Sequence, residues 1–300
     1  MSAALIAVVL VLLAGHAAQS LTALRRFDWL VTWRRYVEGL AEPEGVLAGR
    51  TGVAVSLGVP VVFAGLLQLG LRGQAWGIPA FVYGLLVLFY CWGPRDLDLD
   101  VDAIVEASDG DSRRDAAAHL MHAEAQGMPD GKALDGHALV ESVFHGAMRR
   151  WFGPLFWFLL LGPAGALLYR LTALLATDPA HADARPAHRE GALWLLSLLE
   201  WPVAHLMTFA LALAANFDAV FSAWREWHAG GVRLDTGFLG AAARASVDIE
   251  IADDDTDLPE GEAIAAGPAL LELRDAMSLV WRMLLLWLAV IAIVVIAHLL

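Results

Sequence analysis

VESVFHGAMRRWFGPLFWFLLLGPAGALLYR, residues 140–170, decides the fold, because a polar helix face runs directly into a hydrophobic segment. Polar side chains recur at every fourth position and therefore share one face of a helix: His137, Glu141, His145 and Arg149. Apolar residues such as Val140 and Phe144 form the opposite stripe. The stretch predicts a candidate ligand-binding surface at the mouth of a membrane span.

The composition of the chain is that of a membrane protein. It has 300 residues, of which 58% are hydrophobic, and a mean hydropathy of +0.58, whereas soluble domains are about 45–50% apolar. We therefore expect an all-α, polytopic integral membrane protein. The net charge of −13 argues against a nucleic-acid partner, which requires a basic surface. Cys91 is the only cysteine, so no intrachain disulfide can form.

Bilayer hydrocarbon about 30 Å thick requires roughly 20 apolar residues per helix. Six segments approach this length: 4–24, 52–71, 76–92, 151–171, 192–214 and 279–300. The first contains polar residues, the third is short, and the fifth contains Glu200, Pro202 and His205, so we expect four to six spans. The prediction is one membrane domain over residues 1–300, with cytoplasmic helical segments at about 93–150 and 215–278.

The distribution of Lys and Arg predicts the orientation of these spans. Basic residues concentrate in 25–50, 93–150 and 215–278, which places those segments in the cytoplasm. The alternate loops hold Arg72 and then Arg185 and Arg189, so they are expected outside together with both termini.

Three motifs carry a resemblance to a known family: VESV at 140–143, PLFW at 154–157 and GPxGALxYR at 162–170. With them the chain resembles the CobD/CbiB family, whose members are membrane enzymes that join cobyric acid to an aminopropanol unit by ATP-dependent amide synthesis. That family has further acidic residues after VESV. Glu141 remains here, but the following family positions are occupied by other residues: His145, Gly146, Arg149 and Arg150.

This change has a chemical consequence. Three carboxylates on one helix face could hold Mg²⁺ and a nucleotide phosphate, because hard cations prefer oxygen ligands. One carboxylate beside a histidine and an arginine cannot do so in the same way. Two later polar motifs of that family fall on 173–176 and near 233–235, where this chain differs. We therefore expect no intact catalytic residues, no metal and no cofactor. His119 and His122 share a helix face, but no third ligand accompanies them.

The chain resembles the sister AmpE family over most of its length. Arg149, Arg150 and Trp151 precede PLFW as in that family, and the segment from Glu200 to His205 resembles its acidic residue, tryptophan, proline and basic residue. The resemblance implies an inner-membrane regulatory protein that modulates β-lactamase induction, or the response to cell-wall stress and antibiotics. A diverged CobD/CbiB-type amide synthase and a transporter of small anions are the alternatives.

Six residues are the candidate ligand-binding set: Glu141, His145, Arg149, Arg150, Glu200 and His205. The basic residues suit a small anionic or cell-wall-derived ligand, and ionisable residues inside a span rarely face lipid. The alternative is a solvated helix face with side-chain pairs worth about 0.2–0.5 kcal/mol each, with arginines that anchor the span at the headgroups. The lipid bilayer is the expected partner, and the sequence leaves protein partners open.

Overall fold

The computed structural model describes residues 27–40, 50–74, 77–92, 97–123, 136–231, 233–254 and 268–297. The predicted span 4–24 and the side chain of His122 lie outside what it describes. Every regular element in these ranges is helical, which confirms the all-α prediction. The helices are α1 (Asp28–Leu40), α2 (Arg50–Leu71), α3 (Ile78–Cys91), α4 (Leu97–Val105), α5 (Gly110–Ala123), α6 (Gly136–Ala147), α7 (Gly153–Leu161), α8 (Pro163–Thr177), α9 (Pro186–Ala214), α10 (Phe217–Trp227), α11 (Gly237–Asp254) and α12 (Pro268–Ala297).

Three helices in the described ranges are long and apolar enough to cross a membrane. They are Thr51–Leu71, Pro186–Ala214 and Leu271–Val294, and they overlap the predicted spans 52–71, 192–214 and 279–300. Ile78–Cys91 is apolar but shorter, and it lies within the predicted span 76–92. Length and composition therefore agree with a membrane protein.

The predicted span 151–171 is not one helix. A π-helical turn at Met148–Phe152 leads into α7, and the chain reverses at Gly162 before α8 begins at Pro163. Gly162 has φ 74° and ψ −157°, a conformation that glycine adopts far more readily than other residues. Proline suits the first turn of a helix, where its missing N–H is not needed. The hydrophobic run is therefore a helical hairpin, whose arms are each shorter than a bilayer crossing requires.

The hairpin closes tightly behind this reversal. A Cβ atom on Gly165 of α8 would collide with the backbone oxygen of Trp157 and with the side chain of Leu161, both on α7. The indole N–H of Trp157 donates to the carbonyl oxygen of Leu199 at 3.1 Å. Glycine is therefore the residue that lets α7 and α8 approach this closely.

The chain divides into two compact units. The first comprises Met1–Pro94, Arg149–Leu199 and Val295–Leu300, with α8 packed against α2, α3 and α7. Its core combines α8 residues such as Leu171 and Leu175 with Leu57 of α2 and Leu196 of α9. The apolar faces of these helices are buried against one another, so the hairpin lies at the centre of this unit.

The second unit comprises Arg95–Met148 and Glu200–Val294. Here α11 packs against both α6 and α10, and α5 packs against α4 and α6. Buried apolar residues include Ile104, Leu139, Phe144 and Leu239. The predicted buried stripe of α6 is confirmed at Val140 and Phe144, which are fully buried, and the opposite stripe is left for polar contacts.

Candidate functional site

The polar stripe of α6 faces α11. His137 Nε2 lies 3.1 Å from Asp248 Oδ1, the Glu141 carboxylate pairs with the Arg244 guanidinium, and His145 Nε2 lies 3.5 Å from Thr236 Oγ1. The partner numbers fall as the α6 numbers rise, so the two segments run antiparallel. We call this line of contacts the polar seam, and it joins two helices of the second unit.

Small residues on α11 allow the polar seam to form. Gly240 lies against Glu141, and a Cβ atom there would come within 2.9 Å of the Glu141 Cγ atom. Ala242 and Ala243 are buried on the same helix. The sequence of α11 thus admits the close approach of α6, and this approach brings the carboxylate of Glu141 to Arg244.

His145 has a defined hydrogen-bonding arrangement. Its Nδ1 lies 2.9 Å from the carbonyl oxygen of Glu141, and because a carbonyl oxygen only accepts, Nδ1 carries the proton. In a neutral ring, Nε2 then holds the lone pair and faces the Thr236 hydroxyl. His145 can therefore accept a hydrogen bond through Nε2, or donate one when the ring is protonated.

A second group of rings surrounds His205. The centroid of its ring lies 4.2 Å from that of Trp201, 4.4 Å from Phe238 and 5.7 Å from His228. The His228 ring in turn lies 4.6 Å from Trp224. We call these five residues the histidine–aromatic cluster. It joins α9, α10 and α11 within the second unit.

The two histidines of this cluster repeat the arrangement of His145. His205 Nδ1 donates to the carbonyl oxygen of Trp201 at 2.9 Å, and His228 Nδ1 donates to that of Trp224 at 2.8 Å. A helix carbonyl four residues earlier thus fixes the same ring nitrogen in each case. The chemistry available at all three histidines is hydrogen bonding and proton exchange at Nε2.

The segment from Thr236 to Phe238 connects the polar seam with the histidine–aromatic cluster. Thr236 faces His145, and the ring of Phe238 packs against His205 and His228. Asp235 fixes the start of this segment, since it accepts hydrogen bonds from the indole N–H of Trp227 and the backbone N–H of Gly237. The seam and the cluster therefore form one candidate site.

The six predicted site residues belong to both compact units. Glu141 and His145 lie in the polar seam, and His205 lies in the histidine–aromatic cluster. Glu200 is buried in the second unit, whereas Arg149 and Arg150 are buried in the first unit, in the π-helical turn. Arg149 and Arg150 are thus covered by protein. Glu141 has a partner, Arg244, on another helix, although its side chain is still 38% exposed.

No group of three or more His, Cys, Asp or Glu side chains within the described ranges is arranged to hold a metal ion. His119 is exposed on α5. The candidate site consists of an ion pair, three histidines and a set of aromatic rings.

A group of charged and histidine side chains around a buried arginine in the first unit was not predicted from the sequence. The Arg34 side chain is fully buried, and its guanidinium contacts Glu38 at 2.8 Å, Asp183 at 2.5 Å and His181 Nδ1 at 3.2 Å. His188, also buried, lies 3.7 Å from Glu38. We call these five residues the Arg34 cluster. The i,i+4 spacing of Arg34 and Glu38 was visible in the sequence, but their distant partners were not.

The Arg34 cluster corrects the predicted orientation. Arg34 belongs to segment 25–50, predicted to be cytoplasmic, and Asp183 belongs to a loop predicted to lie outside. Their direct hydrogen bond puts both on one side of a bilayer about 30 Å thick, so the prediction is wrong for at least one of them.

The environment of His181 disfavours its charged form. Burial first, and the neighbouring Arg34 guanidinium second, lower the pKa of this imidazole below its usual value. Arg34 Nε donates to Nδ1, which requires that this nitrogen carry no proton. His181 is therefore held neutral, as an acceptor for the buried arginine.

The described architecture is that of an all-helical protein with helices of membrane-spanning length. The sequence matches the CobD/Cbib protein family over residues 4–255, and the chain belongs to this family. No curated protein and no solved structure matches it. The match includes the polar seam and the Arg34 cluster, and it ends before α12.

Proposed function

We propose that this chain is a regulatory member of the CobD/CbiB family at the inner membrane, with a role like that of AmpE proteins in β-lactamase induction and the cell-wall stress response. One observation carries the proposal: the acidic residue retained on the α6 stripe, Glu141, is paired with Arg244 of α11. A carboxylate that is already paired with an arginine is poorly suited to coordinate a nucleotide-bound magnesium ion.

The rest of the α6 stripe supports the same proposal. His145 donates to its own helix and faces Thr236, so it adds no anionic oxygen. Mg²⁺ takes near-octahedral oxygen ligands and binds through carboxylates and phosphates. A seam of this composition favours recognition of a ligand over transfer of a phosphoryl group.

The proposed ligand is a small cell-wall-derived molecule that carries a carboxylate. His205 and His228 each direct Nδ1 to a helix carbonyl, so Nε2 is the ring nitrogen that would meet a ligand. A protonated imidazole donates from Nε2 to a carboxylate, and aromatic rings such as Trp201 and Phe238 supply apolar contact.

Amide synthesis in cobalamin formation is the second candidate. Family membership over residues 4–255 favours it, because the family resemblance implies that activity. It requires that the seam open and that acidic groups other than those of the α6 stripe hold the nucleotide.

The two candidate functions are tested in parallel, in two strains. The gene is deleted, and β-lactamase activity is measured after exposure to an inducing β-lactam, with wild type, His205→Gln and Glu141→Gln supplied in trans. We expect wild type to restore the normal induction level, and both variants to fail at equal protein abundance. His119→Gln is the matched control, because it makes the same chemical change at an exposed position on α5, in the same unit.

The second arm expresses the wild-type chain in a strain that requires cobalamin because it lacks its own amide synthase. Growth without added cobalamin would support amide synthesis and overturn the regulatory proposal. Unchanged induction in the deletion strain would also overturn it, and normal induction with His205→Gln would remove the histidine–aromatic cluster from the proposed site.

A further inference from the structure

Helix α1 lies across the ends of other helices of the first unit. The Trp29 indole N–H donates to Tyr90 Oη at the end of α3, at 2.9 Å, and the Trp33 indole N–H donates to the carbonyl oxygen of Ser56 in α2, at 3.0 Å. Near its other end, Glu38 accepts from the backbone N–H of Arg185 at 3.3 Å, immediately before α9. Helix α1 therefore bridges three helices.

These contacts define the depth of α1. The candidate spans of α2 and α9 begin at Thr51 and Pro186. Ser56 is five residues into the α2 span, or about 8 Å along the helix axis, and Arg185 directly precedes the α9 span. Helix α1 consequently lies where two spans begin, which is the level of the boundary between headgroups and acyl chains.

The sequence DWLVTWRRYVEGL gives α1 three distinct faces. Leu30, Arg34 and Val37 are buried against the unit. A second face is apolar and uncovered: Trp29 is 41% exposed, and Tyr36 and Leu40 are each 59% exposed. The third face is polar and exposed, with Asp28 and Arg35.

We propose that the uncovered face of Trp29, Tyr36 and Leu40 packs into the lipid bilayer at this boundary, and that α1 is an interfacial helix. Tryptophan and tyrosine concentrate at this depth because one part of the ring is apolar and the other is polar. Val59, Phe63 and Leu66 of the neighbouring α2 are also exposed, so the candidate span that contacts α1 carries uncovered apolar surface as well. The face of Arg35 then meets water or headgroups.

The test measures depth at two neighbouring positions of α1 whose side chains lie about 100° apart around the helix axis. Nitroxide labels are placed at Tyr36→Cys and, as the matched control, at Arg35→Cys on the exposed polar face, both in a Cys91→Ala background that lacks other thiols. The full-length protein is reconstituted in liposomes of phosphatidylcholine and phosphatidylglycerol. Collision rates with oxygen, which is enriched in hydrocarbon, are compared with those of a water-soluble nickel chelate.

We expect the ratio of oxygen to nickel collisions to be several-fold higher at Tyr36→Cys than at Arg35→Cys. Equal ratios would overturn the proposal, because both faces would then contact the same medium. Dipolar broadening at Tyr36→Cys that disappears on dilution with unlabelled protein would also overturn it, since a second copy would cover the face. Leu40→Cys, which lies on the same uncovered face, gives the same test if Tyr36→Cys does not fold.

Discussion

The polar seam of the second unit and the Arg34 cluster of the first unit hold similar residue types in opposite surroundings. In the seam, the paired side chains of Glu141 and Arg244 are 38% and 31% exposed. In the Arg34 cluster, the guanidinium is completely buried and Glu38 is 13% exposed. Water screens the first pair and is excluded from much of the second group. The regular stripe in the sequence thus marks the weaker of the two polar regions.

The difference shows what a periodic pattern does and does not report. Exposed ion pairs contribute about 0–1 kcal/mol, whereas removal of one partner from a buried pair costs about 3–5 kcal/mol because a charge is left without compensation. Periodicity in α6 reports which residues share a face. It does not report burial, which in the Arg34 cluster depends on residues far apart in the chain.

The largest expected effect comes from Arg34→Met. The substitution leaves Glu38 and Asp183 without their buried cation, so we expect the free energy of unfolding of the first unit to fall by about 3–5 kcal/mol. Cys91 is fully buried in that unit and is the only thiol, so a thiol-reactive fluorogenic dye reports the melting temperature in detergent. Arg35→Met is the control: Arg35 is 61% exposed and contacts the same Asp183, and its loss is expected to cost at most about 1 kcal/mol. Equal shifts for both variants would contradict the comparison.

The next effect is a dependence on pH. The pKa of His181 is lowered in the folded state, so the unfolded chain binds a proton first as pH falls. Stability is therefore full above the usual histidine value of about 6.5 and is lost as pH falls from there towards the folded pKa. His181→Asn, whose side-chain oxygen can accept from Arg34 and which does not titrate, should lose less melting temperature between neutral and mildly acidic pH. An identical acid response in wild type and variant would refute this role for His181.

A smaller effect is expected at the seam. Glu141→Gln removes an exposed ion pair with Arg244, so the free energy of local opening should change by less than about 1 kcal/mol. Hydrogen exchange of the 136–147 peptide, followed by mass spectrometry, should accelerate less than about tenfold, since tenfold corresponds to 1.4 kcal/mol. Arg244→Gln and the double variant complete a cycle that isolates the pair. A larger coupling energy between Glu141 and Arg244 would mean that the seam pair contributes as a buried pair does, as in the Arg34 cluster, and would contradict the comparison.

The smallest effect is expected for His137→Gln. His137 and Asp248 are each about half exposed, with side chains at 53% and 52%, so solvent replaces the lost contact. We expect a change of about 0.5 kcal/mol or less, seen as nearly unchanged exchange in the first turn of α6. If His137→Gln accelerated exchange more than Glu141→Gln, side-chain exposure would not determine how much each contact of the polar seam contributes to stability.

The sequence predicts the helices well because hydrophobic length and period are local properties. The all-α class and the shared face of Glu141 and His145 are examples, and both hold in the structure. The Gly162–Pro163 pair also carried a local signal for the break in 151–171, since both residues interrupt helices, but the apolar composition outweighed it. The partners of Arg34 carried no such signal, because His181 is 147 residues away.

Nor could the partners of the candidate site be predicted. The i,i+4 spacing of α6 is compatible with water, lipid or another helix as its neighbour, and only packing selects α11. His228 was not singled out, since its relation to His205 depends on how α10 returns towards α9. Residues joined by tertiary contacts are the part of the site that periodicity leaves undetermined.

The reversal at Gly162 has a consequence for the order in which the chain can fold. The backbone N–H of Ala164, at the start of α8, is directed to the side-chain oxygen of Gln68 on α2, at 3.4 Å. A backbone N–H that is removed from water without an acceptor costs roughly 2–7 kcal/mol, so Gln68 stabilises the start of α8. Gln68 precedes Ala164 by 96 residues and leaves the ribosome well before it. The order of synthesis thus supplies the acceptor first, and a chain in which α2 was moved behind α8 would have to form the hairpin without it.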